Sequence, residues 1–139
     1  MMLTDRRVRV SAWRLWLRIL LVAIIGNLIL RIVAVTILEI PPEFAPLAVA
    51  GPTVFLTTVG VLAAAAVWLV IDRVSSQPRP LFRQVAIAAL LLSLLPDVWL
   101  LTNTGVDSFP GATVPAVTTL MLQHVLAAVV VISPLTMRG

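Results

Sequence analysis

The residues able to do chemistry in this chain are few, and most sit in apolar surroundings. Arg31, Asp97 and His124 are ionisable groups within long hydrophobic runs, and His124 is the only histidine. A charge near the centre of a bilayer costs at least about 2.5–3.5 kcal/mol, so each such group needs a partner, water or a function. Asn27, Thr57, Ser93 and Gln123 are neutral polar residues in the same runs. They suit hydrogen bonds between membrane helices, and they also suit the wall of a binding site.

Arg31 and Asp97 each lie about fifteen residues past an inner boundary, at Trp16 and Phe82. At ~1.5 Å per residue this places both about 22 Å above the inner surface. Equal depth on parallel helices predicts an Arg31–Asp97 ion pair. Such a pair either fixes helix register, as buried ion pairs often do, or forms a binding or proton site opening outward. Arg31 also has the reach to snorkel to the outer surface. His124 falls about 16 Å from the inner end of its run, near the midplane. It suits a hydrogen-bonded packing residue, a proton relay or a ligand contact. One histidine excludes haem held by two histidines of one chain. With no cysteine, no cluster of three or four zinc ligands is expected. No metal or cofactor is expected, and no hydrolase triad, phosphate loop or paired-carboxylate site is present. Catalysis therefore has thin material.

Composition defines the elements that must position these groups. Apolar residues make up 60% of the 139 residues and charged residues 12%, well away from the soluble average of about a quarter charged. Four apolar runs, about 15–38, 46–71, 82–101 and 113–135, match the ~20 residues a helix needs to cross hydrocarbon. In lipid the backbone must bond within its own segment, and the runs lack the alternation of barrel strands. The predicted fold is therefore all-α, a single domain over 1–139 forming a four-helix transmembrane bundle. Pro41-Pro42, the Ser75-Ser76-Gln77-Pro78 stretch and the Gly105 to Pro110 region break the runs. Pro96 is expected to kink span three beside Asp97 and free the Leu92 carbonyl, and Gly51-Pro52 to do likewise in span two.

All ten basic residues are arginine. Arg6, Arg7, Arg9, Arg14 and Arg18 precede or open span one. Arg73, Arg79 and Arg83 flank the middle linker, and Arg138 follows span four. The other two linkers carry only Glu39, Glu43 and Asp107. The positive-inside rule then predicts both termini in the cytoplasm of a bacterial inner membrane. The +4 charge is topological, and no nucleic-acid partner is expected. Span one is read as a retained helix, because its apolar stretch exceeds a signal-peptide core and no small-x-small cleavage site follows.

Spacing of three and four residues gives each span one small or polar face. The faces are Ala23, Asn27, Arg31 and Ala34; Thr53, Thr57, Gly60 and Ala64; Ala86, Ala89, Ser93 and Asp97; and Ala116, Thr119, Gln123 and Ala127 with His124 alongside. These faces should meet inside the bundle.

The runs Pro42-Glu43-Phe44-Ala45-Pro46-Leu47, Arg79-Pro80-Leu81-Phe82-Arg83, Ser93-Leu94-Leu95-Pro96-Asp97 and Leu120-Met121-Leu122-Gln123-His124, with Thr57 and Gly60, resemble a family of small bacterial four-helix membrane proteins of unknown function. The resemblance spans nearly the whole chain and implies membrane location and four helices, but no activity. The leading functional expectation is a non-enzymatic membrane protein, an accessory subunit of a larger complex, partnered by the lipid bilayer and by a membrane protein or further copies of itself. The second is a binding or transport module for a small or lipidic ligand at Arg31, Asp97 and His124. A membrane enzyme using Asp97 and His124 as acid and base ranks last.

Overall fold

The computed structural model describes residues 2–104 and 107–136, with side chains from residue 12 onward. Gly105, Arg138 and the side chains of Arg6, Arg7 and Arg9 lie outside the described residues. The elements are α1 (Met2–Ile37), α2 (Ala45–Ala48), α3 (Ala50–Val74), α4 (Pro78–Thr102) and α5 (Val114–Thr136). Four of these helices are long and apolar enough to cross a membrane: Ala12–Ile37 within α1, then α3, α4 and α5. The fourfold all-α expectation holds, with one addition. The first linker is not merely a stiff loop. Residues 45–48 fold into a short turn of helix with Pro46 at its start, and span two begins at Ala50 rather than at 46.

Around the bundle, α1 packs against α3 and α5, and α4 packs against α5 and α3. Of these four adjacent pairs, α3 and α4 approach each other least. Two apolar clusters occupy the interior. One joins Ala34, Phe44, Leu47, Leu100, Ala116 and Val117 at the end that carries α2. The other joins Ile19, Ala23, Val61, Phe82, Val131 and Leu135 toward the end that carries the α3–α4 linker. Here Trp68 of α3 meets Phe82 of α4 edge-on, with ring centroids 5.3 Å apart. The outward faces are apolar as well: Phe55, Leu92 and Leu122 are among many large residues more than half exposed. In water that surface would be a liability; against hydrocarbon it is the expected finish.

One of the two prolines departs from expectation. Pro52 lies in the first turn of α3, where the backbone N–H has no partner within the helix anyway, so it demands no kink. Pro96 does lie inside α4, and the helix runs through it to Thr102.

The α2 end depends on backbone detail. Gly111 has φ +74, and a Cβ placed on it would fall 2.8 Å from the Phe44 backbone nitrogen and 3.1 Å from Pro41 Cβ. Phe44 is itself fully buried, and its N–H donates to the Pro41 carbonyl at 3.1 Å. Gly111→Ala is therefore expected to lose more than the ~1–2 kcal/mol of left-handed strain alone, since backbone must also move. Glu39, two residues past the end of α1, has φ 50 with its side chain exposed. Glu39→Gly should instead stabilise by up to about 1 kcal/mol. Denaturant titration of both variants in detergent micelles checks the opposite signs.

Candidate functional site

Between the two apolar clusters lies a polar layer. Asn27 on α1 donates through Nδ2 to Thr57 Oγ1 on α3 at 2.9 Å. Gln123 on α5 donates through Nε2 to the Asn27 backbone carbonyl at 3.1 Å. Asp97 on α4 meets His124 on α5, with Oδ2 and Nδ1 2.8 Å apart. The three contacts lace α1 to α3, α1 to α5 and α4 to α5. Among the described residues no side-chain hydrogen bond joins α3 to α4.

The Arg31–Asp97 ion pair expected from depth does not form. Arg31 donates through Nε to the Leu47 carbonyl at 3.0 Å and through Nη2 to the Ala48 carbonyl at 2.9 Å. The reason is topological. α1 and α4 are the diagonal pair of the bundle, whereas α2 folds back beside Arg31 and offers the unpaired carbonyls of its last turn. A guanidinium satisfies two such acceptors at once. Asp97 meanwhile faces α5, its neighbour in sequence.

His124 and Asp97 meet although their estimated depths differ by about one helical turn. Side chains tilt toward the N-terminus of their helix. α4 and α5 are antiparallel, so Asp97 leans toward the α3–α4 linker and His124 leans toward the α2 end, and the two converge. A carboxylate holding Nδ1 orients the ring and leaves Nε2 as the nitrogen without a side-chain partner among the described residues. His124 keeps 42% of its side chain exposed, against 8% for Asp97.

These residues line one cavity of about 270 Å³. Its polar wall is Asn27, Thr53, Thr57, Asp97, Gln123 and His124, and its apolar wall includes Pro46, Leu56, Gly60, Leu120 and Ala127. Five of the seven residues singled out in the sequence thus come together. Arg31 does not join them, and neither does Ser93, whose hydroxyl donates to the Leu90 carbonyl one turn back at 2.7 Å. Ala89, on the same predicted face, is exposed. Thr53 is the residue that site selection from the sequence passed over. Its signal was visible: it stands four residues before Thr57, on the same helical stripe.

Two buried polar atoms of residues in this wall have no hydrogen-bond partner: Asn27 Oδ1 and Thr53 Oγ1. Their residues are 3% and 5% exposed. An unpaired buried polar atom costs about 1–3 kcal/mol, and native proteins rarely carry one without cause. Among the described residues no group of three or more His, Asp or Glu side chains is placed to hold a metal ion. Chemically the site offers acceptors, hydroxyls and one oriented imidazole in a largely apolar cavity, which is the make-up of a small-molecule pocket.

No family model, curated protein or solved structure matches this chain. Function therefore rests on the geometry.

The hydrogen bond between Asn27 and Thr57 should be measurable as a coupling. In a double-mutant cycle of Asn27→Leu and Thr57→Val, an interaction energy of about 0.6 kcal/mol, and at most about 1.7, is expected from bonds of this kind in membrane bundles. Additive effects would mean that the two side chains are not bonded in the folded protein.

Proposed function

We propose that this chain is a multi-pass protein of a bacterial plasma membrane, with both termini and the α3–α4 linker in the cytoplasm, and that it acts as an intramembrane binding module for a small or lipidic ligand. The orientation is supported by charge. Arg14, Arg18, Arg73, Arg79 and Arg83 gather at one end of the bundle, and Glu39, Glu43 and Asp107 at the other. Exposed Glu43 belongs to that outer charge and not to the site.

The binding reading is carried by one observation: the Asp97–His124 pair lines a cavity together with Asn27 and Thr53, each of which holds a buried, unpaired polar atom. A protein built only to pack its four helices would gain by pairing those atoms or replacing them with apolar ones. The accessory-subunit expectation drew on a lack of catalytic groups, the absence of a soluble domain and very short loops, and none of these points to a particular partner. The ligand module also differs from the sequence expectation in its residues. Arg31 serves α2, and the site centres on Asp97, His124, Asn27 and Thr53.

Native mass spectrometry of the protein extracted from host membranes in nanodiscs tests the reading. The wild-type particle is expected to carry a small additional mass that Asp97→Asn and His124→Ala lose. Retention of the same mass in both folded variants would rule this site out, and a stoichiometric foreign subunit with no small mass would return the accessory role to first place.

A further inference from the structure

A second cavity lies between α1 and α3 at the arginine-rich end of the bundle. It has a volume of about 700 Å³ and is bounded by residues 12–20 of α1 and 61–73 of α3, within the ~300–1,000 Å³ typical of ligand sites. It shares no lining residue with the Asp97–His124 cavity. Leu17, Leu62 and Leu69 border it and are exposed, so it opens on the outer face of the two helices. Its floor is buried Val61, with Trp16, Leu20 and Trp68 packed in the second apolar cluster. From Val61 to Arg73 α3 rises about 18 Å, a little more than the ~15 Å that one leaflet contributes to a ~30 Å hydrocarbon core. The cavity is therefore a slot about one leaflet deep, apolar along its length.

The end nearest the linker is different in kind. Trp13 stands there with Asp72 and Arg73, and Trp16 and Trp68 lie about one turn deeper. Tryptophan favours the headgroup level of a membrane. The Trp13 ring already attracts one cation, with Arg14 Cζ 6.0 Å from its centroid. Positive-inside topology accounts for the arginines at this end but gives no reason for an acid. Asp72 is exposed, and it is the one acidic side chain at this end among the described side chains. Consecutive residues of a helix do not face each other, yet Asp72 and Arg73 both border the slot. An anionic headgroup would answer Arg73 and meet like charge at Asp72, and a plain amine would do the reverse. A zwitterion answers both. A primary ammonium also donates hydrogen bonds to a carboxylate, which a trimethylammonium cannot do. Independently of the binding reading above, we propose that the slot holds one phospholipid of the adjoining leaflet with a primary-amine headgroup. Its phosphate lies against Arg73, its ammonium against Asp72 and the Trp13 ring, and one acyl chain runs along the groove toward Leu20 and Val61.

Native mass spectrometry of delipidated protein in detergent micelles tests the assignment. The protein is titrated with phosphatidylethanolamine, phosphatidylcholine and phosphatidylglycerol carrying the same acyl chains. One phosphatidylethanolamine per chain is expected to bind saturably, about fivefold tighter than either other lipid, the scale of one charge contact near a membrane surface. Asp72→Asn should lower phosphatidylethanolamine to the level of phosphatidylcholine. Arg73→Gln should weaken all three lipids, since each carries a phosphate. Both side chains are exposed, so neither change should harm the fold. Asp97→Asn and His124→Ala should leave the lipid in place, because their cavity is a different one; its loss in either folded variant would overturn the placement in the slot. Phosphatidylglycerol or phosphatidylcholine binding as tightly as phosphatidylethanolamine to the wild type would overturn the headgroup assignment. A preference for phosphatidylethanolamine that survives Asp72→Asn would overturn the site, and so would the absence of saturable binding by any of the three lipids.

Discussion

A polar side chain surrounded by lipid must find its hydrogen bonds inside the protein, and the arrangement of this bundle follows from that rule. Burial of apolar surface contributes little to holding the helices together, because lipid tails receive a leucine as readily as another helix does. Close packing of small residues and interhelical hydrogen bonds remain. Asn27 supplies both kinds of contact. Its side chain reaches α3 and its backbone carbonyl receives α5, and Ala23 and Ala34 on the same face are fully or almost fully buried. One turn of α1 thus sets the position of two neighbours. Asp97 and His124 then attach α4 to α5 at the same layer.

The α2 end obeys the same rule through its backbone. A helix of four residues has more unpaired carbonyls than it can satisfy itself, and Arg31 answers the last two. This resolves two problems with one contact, since the guanidinium also needs acceptors at that depth. Fully buried Phe44 and Leu47 then plug the bundle above the polar layer, and Gly111 allows the α4–α5 loop to close over them. The cavity is consequently sealed toward the α2 end by apolar side chains and toward the linker by the second apolar cluster.

How much of this could be read from the sequence depends on range. Helix number and approximate span limits are set by local hydrophobicity, and they came through except where Ala45–Ala48 folded into a turn that four residues are too few to announce. The buried stripes on α1 and α5 were legible because a 3.6-residue period is also local. Partnerships were not. Arg31 and Asp97 share a depth, but depth says nothing about which helices are neighbours, and the diagonal separation of α1 and α4 decided the matter. Asp97 with His124 was hidden by a mismatch in depth that antiparallel side-chain tilt removes. Thr53 shows the same limit: its stripe was visible, but its lack of a partner is a property of three helices at once.

What stands out against this economy is the pair of atoms left over. The bundle satisfies Thr57, Gln123, Arg31 and Asp97 with partners on other elements, and Thr36, Thr58, Ser93, Thr119 and Thr136 with carbonyls of their own helices. Thr53 stands in the first turn of α3, four residues after the extended Val49, and in this structure its hydroxyl bonds nothing. Its neighbour in the cavity, Asn27, spends its donor on Thr57 and keeps its acceptor free. Chains agree with their folds at most positions and depart from local rules mainly where function asks for it. Here both residues line the cavity that also takes in Asp97 of α4 and His124 of α5. Unpaired polarity in the wall of one cavity is what a binding site can use, and packing of the helices alone supplies no reason for it.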